Sequence, residues 1–227
     1  MRQPQRQTDR RRERERFEIL ETHFFAIDLI VGFSLPAYVH LRHRSRPDAA
    51  RVIGLFWLGV AIGLTWEVPL FLSTISAANP IVGFLREPPL HPAVFMIAHA
   101  FWDGGLFLVG LALVRTLCAH PVLASFRWAE LAVLLAWGQA SALAVEVVSV
   151  LNRGWFYPAG HAWNPLLFQV DGHPITALPQ LIWLAAPLVY YVFALRLIRR
   201  ADSLSDAPSG ARPRTGGPSG ASRPAPR

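Results

Sequence analysis

Five side chains in this sequence can trade protons from places where water is scarce. They are Asp28 in FFAIDLIVG, Glu67 in GLTWEVPLF, His99 and Asp103 in HAFWDGGLF, and Glu146 in LAVEVVSVL. Each sits in an apolar run, where an ionisable group at a helix centre costs roughly 2.5 to 3.5 kcal/mol to insert, so the set needs a reason to exist. His99 and Asp103 are four residues apart and share a helix face, where the carboxylate can bond and orient the imidazole. Gln139 and Glu146, seven apart, also share a face, with Ser149 close in phase. A carboxylic acid in an apolar pocket can keep its proton and act as a general acid, while a second, ionised carboxylate takes a proton back or steadies a cation. Trp66 and Trp102 adjoin two of the acids and can add cation–π stabilisation.

The elements that must position these groups are membrane helices. Of 227 residues only 16% are charged, and long apolar runs lie between Arg-rich or Pro-rich segments. The sequence predicts an all-α bundle of five spans, about residues 18–41, 52–74, 93–117, 128–151 and 177–198, each near the roughly 20 residues a bilayer core requires. Residues 1–16 form a charged, solvated tail, 17–200 the bundle, and 201–227, rich in Pro, Gly, Ser and Ala, a disordered tail. Three connections are short or Pro-rich. The fourth, NRGWFYPAGHAWNPLLFQVDGHPIT, is long and aromatic and reads as an ordered cap between the fourth and fifth helices.

Successive helices run in opposite directions, and this places the acids at one level. Asp28 and Asp103 follow the starts of their spans by about eight and ten residues, while Glu67 and Glu146 precede the ends of theirs by about seven and five. All four therefore lie roughly 7 to 15 Å below one membrane surface, the surface that carries the aromatic cap. The other half of the bundle is expected to be almost purely apolar, which leaves no polar path across the membrane and suggests a half-membrane pocket for a lipid-like molecule. Taken singly, an acid can fix helix packing by pairing with Arg or a hydroxyl, and Asp28, nearest the interface, is read as structural with His23. Pro69 frees a carbonyl near Thr65, whose hydroxyl is also available to the pocket.

Several classes of function are excluded or disfavoured. All 22 basic residues are arginine, so no lysine is present for a Schiff base. Cys118 is the single cysteine, which removes intrachain disulfides and Cys-built metal centres. The arginines flank apolar spans as membrane-facing charge does, so nucleic acid is not the expected partner. No signal peptide is read at the amino terminus, and no Gly-rich phosphate loop, G-x-S-x-G elbow, DDxxD, E-x-x-H or H-E-x-x-H spacing occurs, so no metal and no cofactor are expected. Arginine counts put the connections after spans one and three, and the carboxy terminus, in the cytoplasm of a bacterial-type cell. The amino-terminal tail then lies outside, its seven arginines partly offset by Asp9, Glu13, Glu15 and Glu18.

Three stretches resemble known families. The segment RGWFYPAGHAWNPLLFQVDGHPITALP, from Arg153 to Pro179, resembles membrane lycopene cyclases in its W-x-Y, Asn-Pro and Gly-x-Pro layout, with Ile175 and Thr176 where that family has paired glutamates. LTWEVPLF is similar to the Trp-Glu segment of small integral-membrane terpene cyclases, and five spans with His99-x-x-x-Asp103 are similar to the emopamil-binding, sterol-isomerase superfamily. These resemblances imply a cyclase or double-bond isomerase acting on an isoprenoid, carotenoid or sterol-like lipid. The catalytic set expected is Glu67, Asp103, His99 and Glu146. Substrate contacts are expected from Trp66, Trp102, Gln139, Trp155, Tyr157, Asn164 and Asp28. The alternative is a non-catalytic binder or small transporter of hydrophobic amphiphiles.

Overall fold

A computed structural model describes the backbone of residues 3–76 and 79–205 and the side chains of 23–76 and 79–201. Five helices carry the fold: α1 (Gln3–His43), α2 (Ala49–Ser76), α3 (Pro92–Leu117), α4 (Trp128–Leu151) and α5 (Ala177–Ser205). All five contain segments long and apolar enough to cross a membrane, close to the predicted spans. Large apolar side chains such as Ile30, Phe33, Leu72, Leu184 and Phe193 remain exposed on the outside of the bundle, as a hydrocarbon solvent requires. The chain is an integral membrane helical bundle.

Two boundaries differ from the expectation. The charged amino-terminal segment is helical and continuous with the first span, since α1 begins at Gln3. Arg, Glu and Gln are good helix formers, and the first span offers a turn to propagate from. At the other end α5 continues through Ser205, and the rest of the expected disordered tail lies outside the described residues.

Helices α2 and α3 are the most intimately packed pair, and small residues explain why. A Cβ on Gly59 would come within 2.9 Å of the Gly104 Cα, and one on Gly104 within 2.9 Å of the Phe56 carbonyl oxygen. Glycine lets the two backbones approach without a side chain between them. Helix α3 starts sharply, with Pro92 in its first turn and the His91 side chain accepting from the Ala93 amide at 3.3 Å.

The bundle is solid at one end. Phe107 stacks on Tyr190 with ring centres 4.2 Å apart, Trp183 and Leu134 close around them, and the Tyr190 hydroxyl donates to the Leu55 carbonyl at 3.2 Å. This end is not purely apolar, contrary to the expectation. Glu130 is fully buried there, and its Oε2 accepts from the Tyr191 hydroxyl at 2.8 Å and the Leu123 amide at 3.1 Å. Arg127 lies 3.9 Å from its other oxygen. The group ties the α3–α4 connection to α5, which repays its burial with hydrogen bonds.

The other end is capped. The connection between α4 and α5 is ordered, as expected, but it contains strands. Strand β2 (Trp155–Phe156) pairs with β1 (Gly83–Phe84) from the α2–α3 connection, and β3 (Leu166–Val170) forms a hairpin with β4 (His173–Thr176). The hairpin turns at Asp171 and Gly172, both at positive φ, the geometry that Asp-Gly favours. Ser149, near the end of α4, clamps β2: its hydroxyl accepts from the Trp155 amide at 2.8 Å and donates to the Trp155 carbonyl at 2.7 Å.

Candidate functional site

Beneath this cap the helices diverge around a cavity of about 420 Å³. Side chains from all five helices and from the cap line it, and its walls are mostly apolar. Asp28, Glu67, His99, Asp103 and Glu146 all reach it, as do Trp66, Trp102, Trp155 and Tyr157. The two Trp-acid pairs, Trp66-Glu67 and Trp102-Asp103, stand on antiparallel helices, so a pattern repeated in the sequence meets itself in space.

The imidazole of His99 is the hub, with partners other than the one its spacing suggested. Its Nε2 pairs with Asp28 Oδ2 of α1 at 3.0 Å, and its Nδ1 lies 3.7 Å from Glu67 Oε2 of α2. The expected bond to Asp103 is not made. Neighbours at i and i+4 share a face, but both ring nitrogens are claimed by carboxylates from flanking helices. Asp28, read from sequence as an interfacial partner of His23, is instead buried and bound to His99, and its backbone carbonyl accepts from the Trp102 indole at 3.1 Å. Trp155 of the cap lies over His99, ring centres 4.5 Å apart.

Asp103 is held differently. Its Oδ2 is buried without a hydrogen-bond partner, the Trp66 indole lies beside it, and it occupies the space that Gly63 leaves open. A Cβ on Gly63 would fall 2.8 Å from the Asp103 Cβ and 3.0 Å from its Cγ. Glu146 is almost fully buried, and its Oε1 accepts from the Thr176 amide at 3.0 Å and lies 3.5 Å from the Thr176 hydroxyl, while its Oε2 has no partner. Thr176, noted in the sequence only for standing where a resembling family has glutamate, is thus the residue that orients Glu146.

Two predicted contacts belong elsewhere. Gln139 does not line the cavity; its amide donates to the Gln180 carbonyl at 2.9 Å, because the face it shares with Glu146 is turned toward α5. Asn164 is fully buried in the cap, where its Oδ1 accepts from the Leu178 amide at 2.8 Å. It satisfies an amide that the first turn of α5 would otherwise leave unpaired, so it anchors the cap. Thr65 bonds back to the Ile62 carbonyl at 2.7 Å and faces outward.

Tyr157 hangs from the cap into the cavity. Burial, and then the nearby carboxylates of Glu67, Glu146 and Asp103, hold its hydroxyl well above the usual phenol range. It is therefore a neutral hydroxyl, able to donate a hydrogen bond, over the whole physiological range. Among the described residues no three His, Cys, Asp or Glu side chains are grouped to hold a metal ion.

The cavity opens sideways. Ile27 of α1 and Val145 and Val148 of α4 line it yet stay 43%, 43% and 49% exposed. Helix α1 packs on α2 and α3 and not along α4, which leaves a gap in the wall. Both helices that flank the gap are long and apolar enough to cross a membrane.

Compared with known proteins, the chain matches no family model, no curated protein and no solved structure.

Proposed function

We propose that this protein is a membrane enzyme that rearranges an isoprenoid or sterol-like lipid, as a cyclase or double-bond isomerase, by carboxylate-mediated protonation and deprotonation without a cofactor. The observation that carries the reading is one cavity in which carboxylates from four helices converge among four indoles. Asp103, which lines the cavity, gives its proton to an alkene carbon. The π electrons form the new C–H bond, and the cation left on the adjacent carbon is steadied by Trp66, Trp102 and Trp155. Glu67 takes a proton from a neighbouring carbon, and that C–H pair becomes the new double bond. His99, held by Asp28, shares the charge on Glu67, while Glu146 and the Tyr157 hydroxyl complete the polar rim. The protein sits in a bacterial cytoplasmic membrane with its carboxy terminus inside, which a carboxy-terminal topology reporter checks.

Lipid mass spectrometry of membranes with and without the protein tests the activity. A lipid converted to an isomer or cyclised product is expected, and Glu67→Gln and Asp103→Asn should each abolish it. Conversion unchanged by both substitutions would sink the assignment.

A second reading is favoured by one further observation. The cavity wall carries four carboxylates and one imidazole, and among the described residues no arginine lines it. A non-catalytic binder or small transporter of hydrophobic amines would use such a wall. It predicts tight amine binding, weakened by either substitution, with the lipid profile unaltered.

A further inference from the structure

A second, much smaller chamber adjoins the first. Its volume is about 40 Å³, and it is lined by one face of α2, one face of α3, the β1 segment and the cap. On α2 the lining runs Glu67, Leu70, Phe71, Thr74; on α3 it runs Pro92, Phe95, Met96, His99. Both series have the i, i+3, i+4, i+7 spacing of a single helix face. Seven residues separate Thr74 from Glu67 and Pro92 from His99, so the chamber descends about 10 Å from the capped ends of the two helices.

The two chambers share one wall. Glu67, His99, Trp155 and Tyr157 line both, whereas Thr74 and Met96 line only the small one and Leu106 and Asp103 only the large one. The small chamber has room for a file of about three waters and none for a lipid. The large one opens between α1 and α4, where Ile27, Val145 and Val148 stay exposed. Glu67 and His99 therefore stand between the two chambers.

We propose that the groove between α2 and α3 is an aqueous vestibule through which Glu67, backed by His99, exchanges protons with the solvent, separate from the lateral opening that admits the lipid. The proton-transfer role of Glu67 rests on the reading above; the division into a wet and a dry chamber does not. A proton taken from substrate by Glu67 exchanges with solvent by this route, and Asp103, which gave one up, takes one back from the neighbouring Glu67 after product leaves, so both carboxyls are restored without bulk water entering the chamber where a carbocation would be quenched.

Silver-ion reactivity of single cysteines, in a Cys118→Ser background reconstituted in lipid nanodiscs, tests the division. Met96→Cys should react readily and Leu106→Cys at least about tenfold more slowly, the mark of an added barrier. Plugging the vestibule with Thr74→Phe, or more gently Thr74→Leu, should slow Met96→Cys by a similar factor. An inert Met96→Cys, indifference to both plugs, or equal reactivity at Leu106→Cys would overturn the proposal. For the enzyme, Thr74→Leu should lower kcat with little change in KM. Should the cysteine pattern hold while no lipid is converted, the vestibule stands and the catalytic reading falls.

Discussion

The fit of Asp103 against Gly63 can be tested without knowing the substrate. In Gly63→Ala the new methyl would sit 2.8 Å from the Asp103 Cβ and 3.0 Å from its Cγ, so α2 and α3 must part or the carboxylate must move. Contacts of that kind cost about 1 to 3 kcal/mol in a packed core. Gly59→Ala supplies the control, because the atoms its methyl would meet first are the Gly104 Cα at 2.9 Å and the Phe107 side chain, not the Asp103 carboxylate. Both substitutions should therefore destabilise the protein by comparable amounts. They should separate in a double-mutant cycle with Asp103→Gly, which removes the atoms Gly63→Ala collides with. In that background the cost of Gly63→Ala should shrink by about 1 to 2 kcal/mol, and that of Gly59→Ala should be unchanged within about 0.5 kcal/mol. Unfolding in mild detergent titrated with a denaturing detergent measures all five variants against the parent. Equal costs for Gly63→Ala with and without the Asp103 side chain would refute the idea that Gly63 exists to seat that carboxylate.

Other perturbations probe the cap and the far end. Ser149→Ala removes both bonds that clamp β2 and strands the buried Trp155 amide, so a loss of about 2 kcal/mol is expected, with faster hydrogen exchange at Trp155. Glu130→Ala should cost about 2 kcal/mol by stranding the Leu123 amide and removing the acceptor of the Tyr191 hydroxyl's shortest bond, yet leave ligand binding under the cap intact; a binding defect equal to that of Asp103→Asn would contradict the separation of the two ends. Tyr157 binds its proton more tightly folded than unfolded, so stability is fully present below the usual phenol pKa of about 10 and falls as pH rises above it. Tyr157→Phe should make that alkaline decline shallower in thermal melts.

The sequence by itself determined the membrane bundle, since hydropathy and length set span number, and antiparallel succession set the common depth of Asp28, Glu67, Asp103 and Glu146. It also determined that the long aromatic connection is ordered, because Trp155, Phe156 and Tyr157 have apolar surface that only packing can cover. Partners were another matter. Helical phase tells which residues share a face of one helix, but not which neighbour that face meets. His99 therefore goes to Asp28 and Glu67 and not to Asp103, and Gln139 turns to α5. Asn164, expected at the substrate, and Thr176, noted only for standing where a resembling family has glutamate, instead hold the Leu178 amide and Glu146, roles that depend on contacts across 14 and 30 residues of chain. Nothing in the sequence singles out Glu130, because an acid in the first turn of a helix is ordinary. Only the tertiary structure split the acid-rich end into two chambers with Glu67 and His99 between them, because a cavity is the space that several helices leave unfilled, and no single helix records it.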